Sequence, residues 1–358
     1  MNAHGHNVER FGNGIEVIHR TIDILGSKIM VEKQNSYWTG GWRMTLNPPA
    51  MANDRPDVFR TWEAPFATNI ALTLSRLRRG AADPTHHVAA DGAVWRTTLT
   101  GDGPATMRLT QSGLHTLRCE SWGSGARAAV DSAPVMLGAL DDPTDFVPGN
   151  EALGVAHLRL PGLRIPRTER VLESLIPAIL EQKVISVQAM ASWRRLVRAF
   201  GTPAPGPVPL PMMVVPSVRA WQLIPSWEWH KAGVDPRRAG IVQVCLGLAR
   251  QLEGATSLSA ADASARLRVV PGVGAWTAAE TAQRAFGDAD ALSVGDFHLS
   301  GMIGHTLTGA AFSDEQMLTA MEKWRPHRYR VVRLLEVSGL GVKPRRGPRA
   351  AFVDHRNH

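Results

Sequence analysis

The chain has 358 residues, enough for two or three cored domains, and a formal net charge of +8 on a composition that is 44% hydrophobic and 20% charged. This balance points to a polyanionic partner, nucleic acid ahead of an anionic membrane surface, with a generic basic enzyme as the plain alternative. The only cysteines, Cys119 and Cys245, exclude a four-thiolate zinc or iron–sulfur site and suit a reduced cytosolic protein, and no apolar run approaches the ~20 residues of a membrane helix.

Residues 1–55 read as an extension that is poorly ordered. "GIEVIHRTIDIL" alternates weakly, as a short strand would, and "LNPPAMANDRPD" is a linker by its Pro, Asn and Asp content. Met44 and Met51 are alternative starts. Charges scattered through the first 30 or so residues argue against a secretory apolar segment, so the expected location is cytoplasmic, on the nucleoid.

Residues 56–147 read as a small α+β domain. "NIALTLSRLRRG" sets Ile70, Leu74 and Leu77 on one helical face and stops at Gly80. "AVWRTTLT", "ATMRLTQ" and "HTLRCESW" predict an antiparallel meander, and "ARAAVDSAPVMLG" returns to a helical pattern ending at Gly138.

From 148 to 340 the pattern is helical throughout. "ERVLESLIPAILEQKV" carries a broad apolar stripe. "VQAMASWRRLVRAFG" carries another, closed by Gly201. "DPRRAGIVQVCLGLARQLEG" opens with Asp235 as N-cap and Pro236 at the first helical position. The tail, 341–358, contains the basic stretch "KPRRGPR". His86 with His87, and His355 with His358, lack a carboxylate spacing that would suit a metal, so no metal or cofactor is expected.

The most informative stretch is "VVPGVGAWTAAETAQRAFGDADALSVGDFHL", residues 269–299. A helix, a tight turn with Gly272 and Gly274, and a second helix make a helix-hairpin-helix. The turn amides and the positive helix end suit a phosphate, a sequence-blind contact that positions DNA without reading it. Asp296 follows after a helix and a return loop, which can bring its carboxylate near a strand held by the hairpin. It can equally serve as the N-cap of "FHLSGMIGHTL", and one residue can do both.

In order, "LEQKVISVQAMASWRRLVRAFG", "VVPGVGAWTAAETAQRAFG", "ALSVGDFHL" and "EKWRPHRYRVVRLL" resemble blocks of the helix-hairpin-helix DNA glycosylase superfamily, in its 3-methyladenine DNA glycosylase II branch. "RGAADPTHH" and "SWGSGA" in the first domain fit the same branch, and the resemblance spans roughly residues 60–340. It implies an α+β chain: a small antiparallel sheet domain with helices, then a mostly helical, two-lobed bundle holding the hairpin. It also implies excision of an alkylated purine that has been flipped out of duplex DNA.

The residues carried over are Asp296 as the acid facing the sugar; Trp276, Gln182 and Glu336 at the base pocket; and Pro271, Gly272, Val273, Gly274, Thr277, Lys183 and Arg328 against DNA. A monovalent ion at the Val273 carbonyl also follows from it. Members that nick the strand carry a lysine two residues after the last hairpin Gly; here that residue is Trp276, which implies a monofunctional enzyme. The expected partner is double-stranded DNA with a damaged base, met by a monomer. Two departures stand out. Lys183 occupies the place of an apolar wedge, and Glu336 falls where the closing helix can offer a pocket aromatic. Of Arg328 and Arg330, one is expected to support Asp296 and the other a phosphate, unless both are solvated. The alternatives are a non-catalytic helix-hairpin-helix protein that binds damaged or distorted DNA, and a basic regulatory protein whose hairpin only joins two helices.

Overall fold

The computed structural model describes residues 54–342. The segments 1–53 and 343–358 lie outside, and with them the N-terminal strand, the linker up to residue 53, both alternative starts, the basic stretch of the tail, His355 and His358.

The chain opens with a sheet layer: β1 (Val58–Glu63), α1 (Ile70–Leu74), β2 (His86–Val88), β3 (Val94–Thr100), β4 (Gly103–Ser112), β5 (Thr116–Trp122) and α2 (Ala126–Met136). The strands form one antiparallel sheet in the order β1-β5-β4-β3-β2. The β3–β5 meander is the one its sequence predicts. Leu117 and Cys119 of β5 and Met107 and Leu109 of β4 turn inward, against Ala129, Val130 and Ala133 of α2.

The edge strands β1 and β2 were not expected. β1 is exposed along most of its length, so no clean alternation marks it. The predicted helix at 69–80 is shorter than its pattern suggests. Asn69 caps it through the Leu72 N–H, and after Leu74 it tightens to one 3₁₀ turn, Ser75–Leu77.

Helices follow: α3 (Glu151–Arg159), α4 (Val171–Leu180) and α5 (Ser186–Phe200). A small ladder of β6 (Thr202–Pro203) and β7 (Met213–Val214) comes next. Then come α6 (Val218–Gln222), α7 (Ser226–Lys231), α8 (Pro236–Gly247), α9 (Ala249–Glu253), α10 (Ala260–Arg268), α11 (Ala275–Ala285), α12 (Leu299–Thr308), α13 (Asp314–Met321) and α14 (Arg328–Ser338). Asp235 caps α8 as expected, its Oδ1 accepting the Arg238 N–H at 3.0 Å. Gly201 ends α5, but in an extended conformation. It is needed because a Cβ there would meet the carbonyl oxygens of Val214 and Val197 at 2.3 and 2.5 Å.

The helical part has two apolar cores. One gathers α4, α5, α8 and α11 around Leu175, Ile179, Trp193, Val242 and Ala282. The other gathers α3, α12, α13 and α14 around Leu153, Ile303, Met317, Trp324 and Leu334. Each large apolar side chain sealed in them contributes ~1.5–3 kcal/mol. Cys119 and Cys245 are free thiols in the interior, each pushed up to about 12 by burial.

Polar bonds join the sheet layer to the helices. Thr98 Oγ1 donates to Glu173 on α4 at 2.7 Å, where Arg96 also pairs. Arg79 meets Glu181 at 2.9 Å, and Arg284 Nε of α11 donates to the Arg76 carbonyl at 2.9 Å. Among the described residues no helix is long and apolar enough to cross a membrane.

Candidate active site at the helix hairpin

Between α10 and α11 the chain reverses over Val269–Gly274. Gly272 carries φ +89°, and a Cβ there would stand 2.6 Å from Ile241 Cδ1, so both backbone and packing require glycine. Gly274 differs: its φ is −84° and a Cβ would meet nothing. The fold does not ask for glycine at 274; what its absent side chain provides is clearance above the start of α11.

The Val273 N–H turns inward to the Val270 carbonyl at 3.0 Å, while the N–H groups of Gly274, Ala275 and Trp276 meet no acceptor among the described residues. These are the orphan donors of a helix start, and they sit at its positive end.

Gln182, just beyond α4, holds this turn. Its Nε2 donates to the Gly272 carbonyl at 3.0 Å and to Thr277 Oγ1 at 2.9 Å. Gln182 is therefore a strut of the hairpin, where the sequence predicted a pocket residue. The Thr277 side chain is buried and committed to that strut, so at 277 only the backbone is left to meet a strand. Pro271 and Gly272 are exposed and Val273 is packed inward. Lys183, next to Gln182, is exposed and has φ +55°.

Asp296 stands beside the first turn of α11. Its Oδ1 accepts the N–H groups of His298 and Leu299 at 2.8 and 2.9 Å, so it anchors the start of α12, as a capping Asp does. Its Oδ2 accepts the indole N–H of Trp276 at 3.2 Å. Three donors thus fix a carboxylate that remains half-buried, neither sealed nor free to swing. Trp276, expected only to stack on a base, also orients the acid.

One turn along α11 lies a residue that sequence reading missed. Glu280 is buried; it accepts Arg284 Nη1 at 2.8 Å and the Ser293 hydroxyl at 2.6 Å. Burial alone would raise its carboxyl, but Arg284, Arg76 and the Ser293 hydrogen bond outweigh it and hold it down to about 2. Its signal was the Glu280–Arg284 i,i+4 pair inside an otherwise small-residue run. Glu336 lies near the same group: it pairs with Arg333 at 2.8 Å and lies 3.7 Å from Arg76.

Two expectations fail. Arg328 is buried and clamped by Asp290, at 2.8 Å through Nε and 2.6 Å through Nη2. Arg330 is buried against Asp141, at 3.1 and 2.5 Å. Both brace loops from inside; neither supports Asp296 nor stands ready for a phosphate. Among the described residues no group of three His, Cys, Asp or Glu side chains could hold a metal ion.

Matched by shape, residues of this chain superpose on a 3-methyladenine DNA glycosylase from Archaeoglobus fulgidus with a TM-score of 0.66 at 19% identity, covering 77% of this chain and 96% of that one. This chain shares the fold of that glycosylase. A Clostridium acetobutylicum 8-oxoguanine glycosylase/lyase bound to double-stranded DNA shares this glycosylase fold, at a TM-score of 0.59 and 12% identity over 78% of this chain and 96% of that one.

In sequence, 171 residues are 30% identical to a Mycobacterium tuberculosis protein described as a probable bifunctional transcriptional activator/DNA repair enzyme AlkA. The match takes in 48% of this chain and 34% of that relative, so the chain spans about a third of the relative's length. No family model matches the sequence.

Proposed function

We propose that this chain is a monofunctional DNA glycosylase of base excision repair that releases alkylated purines of the 3-methyladenine type. The observation that carries this reading is the Trp276–Asp296 pair, an oriented carboxylate beside a helix start whose amides are open. A protein that only bound DNA would need this acid for no more than the cap of α12.

In this reading the amides of Gly274 to Thr277, with Pro271 and Gly272 alongside, grip a phosphate, and a monovalent ion bound at the Val273 carbonyl extends the grip. Lys183 stands at the gap left by the flipped base. The extruded nucleoside enters beside Trp276 and Asp296.

The C1′–N bond then breaks and its electron pair leaves with the base. Asp296 stabilises the cationic sugar electrostatically, and water adds to C1′ with loss of a proton. The face of Trp276 stacks on the departing base, worth ~1–3 kcal/mol. No lysine occurs between residues 260 and 300, which favours hydrolysis over a Schiff-base route. The expected partner is damaged duplex DNA, met by a monomer on the nucleoid in the cytoplasm.

The test is to incubate the protein with methylated duplex DNA, identify free bases by mass, and examine the strand on a denaturing gel. Release of methylpurines from strands left intact is expected. Binding without release would leave only the non-catalytic reading, and strand cleavage trapped by borohydride would refute hydrolysis.

A further inference from the structure

Among the described residues, Arg76 faces two carboxylates without a close ion-pair hydrogen bond to either. It sits in the 3₁₀ turn after α1, and its backbone is pinned by Arg284 Nε at 2.9 Å. Its head lies between two carboxylates, 3.7 Å from Glu280 and 3.7 Å from Glu336, close enough for attraction but too far for hydrogen bonds. Arg76 Nε and the Tyr329 hydroxyl are both buried without a well-formed hydrogen bond among the described residues, and the tyrosine is the neighbour close enough to act on the guanidinium. The neighbouring Arg79, Arg284 and Arg333 are by contrast bonded to Glu181, Glu280 and Glu336. The Arg76 side chain keeps 31% of its surface open.

Glu280, which faces this guanidinium, links it through α11 to the Trp276–Asp296 pair. Glu280 is four residues after Trp276, hence on the same helix face. Ser293, which donates to Glu280, offers its carbonyl to the Asp296 N–H at 3.1 Å. A base stacked on Trp276 with its sugar at Asp296 would project toward Glu280 and Arg76.

We infer that Arg76 selects the base, presenting N–H donors to a purine that carries a carbonyl oxygen at its six position and a free ring nitrogen beside it. An arginine fork has five donors and no acceptor. It suits such an O6/N7 edge and is mismatched to an adenine-type edge, whose exocyclic amine is itself a donor. Glu280 and Glu336 hold the fork in place without occupying its donors. Within the alkylpurine class this favours 3-methylguanine over 3-methyladenine, two lesions alkylated at the same ring atom. The inference rests on the glycosylase reading above.

The experiment uses the full chain on duplex DNA treated with dimethyl sulfate, with the 3-methylguanine to 3-methyladenine release-rate ratio measured by mass. Wild type is compared with Arg76→Lys and Arg76→Met. Both variants are expected to lower the ratio about tenfold. Lysine keeps the charge between Glu280 and Glu336, so a merely structural ion pair would leave the Lys variant at the wild-type ratio, and that result overturns the inference. If the Met variant fails to fold in a thermal melt, the Lys variant decides alone. Release of both bases in an unchanged ratio sinks the role of Arg76 and leaves the glycosylase reading standing. Wild type that binds this DNA and frees no base sinks the glycosylase reading, and the inference with it.

Discussion

The two halves of α11 make opposite use of polar groups. Its first turn leaves three backbone N–H groups without acceptors and keeps Trp276 half-exposed beside Asp296. From Thr277 onward every residue is buried, and Glu280, Gln283 and Arg284 bond inward to Ser293, Ala291 and the Arg76 carbonyl. Buried polar groups must find partners inside, because water cannot supply them. Donors left open at a surface helix end are satisfied by solvent or by a ligand, at little cost to the fold. The contrast separates what one helix contributes to stability from what it leaves open to a ligand.

Three substitutions can break or sharpen that contrast. The largest effect belongs to the open end. Asp296→Asn is expected to cut base release by ~10²–10³-fold while duplex binding persists, as loss of an electrostatic stabiliser does. Comparable release rates in a single-turnover assay would remove Asp296 from the chemistry.

Gly272→Val comes second. Valine at φ +89° against Ile241 strains the backbone and overpacks the site, at ~2–4 kcal/mol in denaturant unfolding. Affinity for all DNA sequences should fall alike; a sequence-selective loss would mean that the hairpin reads bases.

The third tests the closed half. The Glu280 carboxyl is held at about 2 against an ordinary 4.5, so its folded-state value is depressed. Its contribution is full above about pH 4.5 and disappears as pH falls toward 2, on the order of 3 kcal/mol at most. Glu280→Gln should lower the neutral-pH melting temperature and flatten its fall between those two pH values. An unchanged slope would show that the Arg76–Glu280–Arg284 group adds nothing to acid sensitivity.

Much of this was legible in the chain itself. The β3–β5 meander showed because Thr, Val and Leu alternate between Gly-marked turns, and the hairpin showed because glycine spacing is local. The rest depends on contacts between residues far apart in sequence. Arg328 and Arg330 read as a support for Asp296 and a phosphate contact, or as solvated charges, and only the fold brings Asp290 and Asp141 to them, 38 and 189 residues away. Glu280 was hidden because its i,i+4 pair with Arg284 reads equally well as a solvated surface pair, and only the fold buries it and brings Arg76 to it. The strut from Gln182 to Gly272 likewise spans 90 residues, so its role could not be inferred from neighbours.

The left-handed backbone of Lys183 narrows what can evolve there. At φ +55° a β-branched side chain is strongly disfavoured, whereas glycine, asparagine or an unbranched chain is tolerated. Isoleucine or valine could enter only by first re-bending the peptide that carries Gln182, and so slackening the clasp on the Gly272 carbonyl. The backbone at 183 and the clasp on the Gly272 carbonyl are thus coupled, so a change at one is felt at the other.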